Sequence, residues 1–231
     1  MLHSILGPLY KASLLHYGLQ RSGTNYLATI LRKLYRIHFL NQNKRRDSPY
    51  HKHFRLYDQK EMVPEPQYRN EIRIDDFIDF ENLLHAVPAY YVIISKDPYS
   101  WLLSYEKWAK SCQWPRVPHH YIQEYNLFYG KWLKFSTQTE RIVFVRYFDL
   151  LNDLDTELLR LESTMNLKRK LWLPNRKKNI RHVSQSDRFT KARLKYYLTE
   201  EYMKSFTKQR ITEINGLLDP LVVLSLGYTM K

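Results

Sequence analysis

At 231 residues the chain is long enough for one α/β domain with a sizeable core, and its six glycines exclude a linker-rich or repetitive architecture. A single cysteine, Cys112, excludes an intramolecular disulfide and a cysteine-built metal site. Lys and Arg number 37 against 23 Asp and Glu, a formal net charge of +14 that suits an anionic partner without choosing among nucleotide, acidic glycan, nucleic acid and membrane surface.

The opening MLHSILGPLYKASLLHYG lacks the basic lead and continuous apolar core of a secretory signal. No stretch approaches the roughly 20 apolar residues of a membrane span. A cytoplasmic location, or an excised catalytic domain, is the expectation. The first strand is predicted over Ser13–Tyr17, and a helical pattern over Asn25–Tyr35 repeats Leu27, Ile30, Leu31 and Leu34. Between them runs Gly18-Leu19-Gln20-Arg21-Ser22-Gly23-Thr24-Asn25. Strand, loop and helix in that order aim the free N–H groups of the first helical turn at one point, where an anion is favoured. Gly18 and Gly23 permit the tight path that lets those amides converge. The spacing is that of a nucleotide-hydrolase P-loop, but Thr24 replaces its Lys and Asn25 its magnesium-binding hydroxyl. The cation stands earlier, at Arg21, so the loop is expected to hold a phosphate without a metal. The plainer alternative is a helix start capped by Ser22 or Thr24.

Further strands are predicted over Ile37–Leu40, Phe54–Tyr57, Tyr90–Ser95 and Ile142–Arg146, the third a buried apolar run. Helices are predicted over Asp76–Ala86, Tyr99–Lys110, Tyr121–Phe135, Leu154–Met165, Ala192–Tyr197 and Thr199–Leu217. The alternation implies a three-layer α/β/α domain, residues 1–231, with a central parallel sheet and ligands at the carboxyl ends of the strands. Residues 41–49 and 167–188 read as irregular, the latter a basic lid containing Arg181. Cys112, after a helix, reads as a buried or half-buried packing residue. The aromatic segment from Trp108 to Trp132 is assigned chiefly to the core, with some rings free to wall a substrate site.

Three segments carry a resemblance. Arg21-Ser22-Gly23-Thr24 opens a helix after a strand. Lys96-Asp97-Pro98 ends a strand, with Ser104 eight positions beyond Lys96. Arg146-Tyr147-Phe148-Asp149-Leu150-Leu151 follows another strand. In that order and spacing the chain resembles the sulfotransferases that use 3′-phosphoadenosine 5′-phosphosulfate (PAPS), with a P-loop-like fold, over about Leu14 to Tyr228. The resemblance implies that Ser22, Gly23, Thr24 and Asn25 cradle the donor's 5′-phosphate. It implies that Arg21 stabilises charge on the leaving oxygen, and that Lys96 and Ser104 hold the 3′-phosphate. Tyr26 and Tyr147 would contact adenine, and Arg181 would lie in the covering loop. His53 is the expected general base, with Lys52 beside it and His51 and Glu61 in reserve. The donor would leave as 3′-phosphoadenosine 5′-phosphate (PAP), the sulfuryl group passing to a hydroxyl of a glycan, lipid or small molecule. No metal, transmembrane segment or specific nucleic acid enters this scheme. A small ATP-using P-loop kinase and a non-catalytic polyanion binder are the alternatives.

Overall fold

A computed structural model describes residues 12–41, 45, 48–56, 74–84, 86–113, 119–170 and 191–231. Four parallel strands, β1 (Ala12–Tyr17), β2 (Ile37–Phe39), β3 (Tyr90–Ser95) and β4 (Ile142–Arg146), form one sheet in the order β2-β1-β3-β4. Tyr17 pairs with Ile93, and Ser95 with Arg146. Side chains of a strand alternate between faces, and two apolar clusters record that alternation. Leu15, Tyr17, Tyr91 and Ile93 pack on one side of the sheet. Leu14, Val92, Ile94, Val143 and Val145 pack on the other.

The second cluster is covered by α1 (Thr24–Leu34), α5 (Tyr147–Asn152) and α6 (Leu154–Met165). The first is covered by α2 (Phe77–Asn82), α3 (Pro98–Ser111) and α4 (Tyr121–Ser136), whose Tyr125, Phe128, Tyr129 and Trp132 are core. Helix α3 begins as its sequence dictates. Asp97 caps it through Ser100 N–H (2.9 Å), and Pro98 sits where its missing N–H is not needed. The chain closes with α7 (Lys191–Leu198), a 3₁₀ turn (Glu201–Ser205), α8 (Lys208–Leu217) and α9 (Pro220–Ser225). Tyr228 is buried at the end of β3, its hydroxyl 3.2 Å from Ser95 Oγ.

Two predicted elements differ. Residues 54–56 form no strand. The segment instead folds in successive turns, with His51 N–H donating to Ser48 O and Phe54 N–H to His51 O, both 2.9 Å. Phe54 and Leu56 still enter the core, so their apolar alternation reflects burial without sheet pairing. The single helix expected over Thr199–Leu217 is broken. Glu200 is left-handed (φ 54°), and Thr207 starts a new helix by accepting from Arg210 N–H (3.2 Å). Among the described residues no helix is long and apolar enough to cross a membrane.

Candidate active site

Strand order explains where a ligand can enter. The chain passes from β1 to β2 on one side, then returns to place β3 on the other side of β1. Loops leaving β1 and β3 therefore diverge at their carboxyl ends and open a crevice there. Residues following both strands line one cleft of about 420 Å³: Arg21, Gly23, Thr24 and Asn25 after β1, Lys96 and Ser104 after β3.

The β1 loop is built by backbone constraint. A Cβ on Gly18 would lie 2.5 Å from Ser22 Oγ and 2.8 Å from the Ile94 side chain. Gly23, the N-cap of α1, has φ 104°, and a Cβ there would meet the Tyr147 ring at 2.5 Å. No side chain caps the helix, so neither Ser22 nor Thr24 takes that role. Ser22 is fully buried and its N–H donates to Leu19 O (3.1 Å). It shapes the loop, and the residues that line the cleft are those that follow it, Gly23, Thr24 and Asn25. Arg21 is exposed and left-handed (φ 71°), a conformation that L residues rarely adopt and that surrounding structure must enforce. Lys52 Nζ donates to Asn25 Oδ1, bringing a second cation to the helix start, and burial lowers its pKa.

His53 faces the same cleft. Its Nδ1 lies 2.6 Å from Gly18 O. A carbonyl only accepts, so Nδ1 carries the proton and the neutral ring keeps its lone pair on Nε2. Burial, reinforced by Lys52, His51 and Arg55 and opposed by the Gly18 bond, holds its pKa well below the usual imidazole value. The neutral form is thus the resting form at neutral pH. His51 accepts from His53 N–H through Nδ1 (3.2 Å).

At the other end Lys96 is 4% exposed, and Nζ donates to Ser104 Oγ (2.8 Å) and Tyr197 OH (3.5 Å). It lies 4.5 Å from the centroid of the Tyr197 ring and 5.5 Å from that of Tyr147. Among the described residues it has no carboxylate in salt-bridge range. Burial lowers its pKa, with Tyr197 acting against that shift. Burial likewise opposes ionisation of Tyr197, but Lys96 and Arg193 outweigh it and hold its pKa below the ordinary phenol value. This end of the cleft is strongly electropositive. Tyr26, Tyr147 and Tyr197 form an edge-to-face series along it, with centroids 5.9 and 5.6 Å apart.

Behind the loop lies a buried polar cluster. Arg55 donates to Glu124 Oε2 on α4, to Gln20 Oε1 (3.1 Å) and to His53 O (3.5 Å), while Trp101 Nε1 holds Gln20 O (2.9 Å). His119 Nε2 lies 3.2 Å from Glu124 Oε1. Burial raises the Glu124 pKa, but Arg55 and His119 outweigh it and keep the carboxyl ionised. The cluster fixes the β1 loop and the His53 segment to the same helix.

Arg21, Gly23, Thr24, Asn25, Tyr26, His53, Lys96, Ser104 and Tyr147, all singled out in the sequence, line the cleft together. Ser22 does not, for the reason given above. Arg181 and Glu61 lie outside the described residues, as does most of the 167–188 segment. Arg193, Tyr197 and Trp108 also line the cleft. The run Lys191–Leu198, with its Lys-x-Arg-x-Lys-Tyr-Tyr pattern on a helix, was the available signal for the first two. Cys112 is exposed, because it terminates α3 beyond that helix's apolar face.

No protein-family model matches this chain, and no curated protein matches it. Among solved structures, mouse sulfotransferase SULT7A1 complexed with PAP is similar, with a TM-score of 0.50 and 11% identity over 90% of this chain and 83% of that one. At that identity the likeness is one of fold: a central parallel sheet flanked by helices.

Proposed function

We propose that this chain is a sulfotransferase that moves a sulfuryl group from PAPS to an acceptor hydroxyl and releases PAP. The observation that carries this is Lys96. A buried ammonium surrounded by hydroxyls and aromatic rings is costly unless an anion completes its shell. It shares a cleft with an uncapped helix N-terminus flanked by Arg21 and Lys52, a second anion site. Two anion sites joined by a row of tyrosine rings suit an adenosine with phosphates at two positions.

In this scheme the Thr24 and Asn25 amides orient the 5′-phosphate, while Lys96 and Ser104 hold the 3′-phosphate. The acceptor oxygen forms a bond to sulfur as the bond from sulfur to the phosphate oxygen breaks. His53 Nε2 takes the acceptor proton, and the Nδ1–H bond to Gly18 keeps the tautomer correct for that task. Arg21 stabilises the negative charge left on the phosphate oxygen, and a guanidinium remains charged throughout. Calorimetry with PAP, ADP and AMP tests the proposal. PAP should bind best, because only it places a phosphate on the 3′ side. Equal affinity for the three, or magnesium-dependent turnover of ATP, would overturn it.

A further inference from the structure

A second cavity of about 700 Å³ adjoins the nucleotide cleft, and Arg21, Ser104, Trp108, Arg193 and Tyr197 line both. It also has a polar set of its own. Lys107, Ser111 and Ser205 line it and not the cleft. On α3, Ser104, Lys107, Trp108 and Ser111 recur at helical spacing, so they share one face running about 10 Å away from Ser104. That is roughly the length of a disaccharide.

The charge in this cavity has one sign. Arg21, Lys107 and Arg193 line it, and no described lining residue is acidic. Carboxylates on the neighbouring elements are already committed: Glu106 to Arg210 (2.6 Å), Glu201 to Lys195 (3.5 Å) and Glu200 to Lys231 (2.6 Å). Lys107 is exposed and has no hydrogen-bond or ion-pair partner among the described residues. It also lies outside the nucleotide cleft, so the donor leaves its charge uncompensated. Trp108, Tyr196 and Tyr197 add flat apolar faces of the kind on which pyranose rings stack, and Ser111 and Ser205 add hydroxyls.

We propose that this second cavity is the acceptor site and that it takes an anionic saccharide, one bearing carboxylates or sulfates, whose reacting hydroxyl passes Arg21 toward His53. The inference rests on the sulfotransferase reading of the adjoining cleft. The product is then the same saccharide with one further O-sulfate. Lys107 and Arg193 select the acceptor by charge and the aromatic faces by ring shape.

The test is calorimetry on the PAP-saturated protein with an unsulfated chondroitin hexasaccharide, repeated with its carboxyl methyl ester. The acid should bind about tenfold tighter than the neutral ester, equivalent to about 1.4 kcal/mol. Lys107→Glu should weaken the acid by a similar factor of about ten while changing PAP affinity less than about twofold. Lys168→Glu, which removes the same charge outside the cavity, should leave saccharide binding within about twofold of the original. Equal binding of acid and ester, no saccharide binding, or equal losses in the two lysine variants each overturn the acceptor class. A protein indifferent between PAP and ADP overturns the nucleotide assignment beneath it, a result read in a separate titration.

Discussion

Replacing Glu124 by Ala would remove the carboxylate that pairs with the buried Arg55 guanidinium. The two side chains are 3% and 1% exposed, and arginine cannot shed its proton to escape the cost. Gln20 Oε1 and His53 O still accept from Arg55, but neither carries charge. Removing one partner of such a pair costs about 3–5 kcal/mol, against a total stability of about 5–15 kcal/mol for a folded domain. For a chain of this length each kcal/mol moves Tm by about 2–4 °C, so thermal unfolding followed by circular dichroism should show a fall of about 6–20 °C. The double variant Arg55→Met, Glu124→Leu removes both charges and should recover most of the stability. It should not recover the nucleotide site, because Arg55 no longer holds Gln20 and the carbonyl of His53. PAP affinity should stay about tenfold weak in the double variant while Tm returns. A single variant as stable as the parent would refute the electrostatic argument. Recovery of PAP affinity along with Tm in the double variant would refute the positioning role.

Gly23→Ala combines a left-handed φ with a Cβ 2.5 Å from the Tyr147 ring. Strain of about 1–2 kcal/mol and overpacking of about 1–3 kcal/mol should together be visible in urea unfolding, with Tyr147 displaced and PAP bound less tightly. Gly216→Ala, inside α8 with nothing within 4 Å of the new methyl, should instead stabilise by about 0.5–1 kcal/mol; similar behaviour of the two variants would contradict both accounts. Arg21→Ala should lower PAPS turnover about 10²–10³-fold while weakening PAP far less, and equal losses would make Arg21 only a binding group. His16 is buried and His53 half-buried, both neutral, and burial brings the His16 pKa to about 3. Below the unfolded value of about 6.5 the unfolded chain therefore binds protons that the folded chain refuses, and stability falls as pH falls. The His16 contribution should approach a slope of about 1.4 kcal/mol per pH unit from about one unit below that value, where the unfolded ring is almost fully protonated. Urea unfolding from pH 6.5 to 5 should show His16→Asn reducing the slope by one ring's share, and an unchanged slope would exclude a depressed His16.

What was legible in the sequence is what local chemistry determines. The β1 loop, the Asp97-Pro98 start of α3 and the Lys96-to-Ser104 spacing are written in contiguous residues, because turn geometry, capping and helical period act over fewer than about ten positions. The structure brings Lys96 and Ser104 to 2.8 Å through that spacing alone. Phe54 and Leu56 misled because alternating burial does not require sheet pairing, and their segment is held by turns and by Arg55 reaching a helix sixty-nine positions later. Arg193 and Tyr197 were missed for a related reason. Their helix joins Lys96 across the fold, through Tyr197 and an element contact with α5, and the Lys-x-Arg-x-Lys-Tyr-Tyr pattern, the one local signal, is shared by solvated basic helices. His53 lies between these cases. Its presence near the cleft could be inferred from chain order, but its tautomer depends on the carbonyl of Gly18, thirty-five positions away. The same carbonyl belongs to the glycine whose missing Cβ lets the loop close over Ile94. Bulk introduced at Gly18 would therefore disturb the anion site and the base together, and that coupling arises from the fold, beyond what either motif encodes alone.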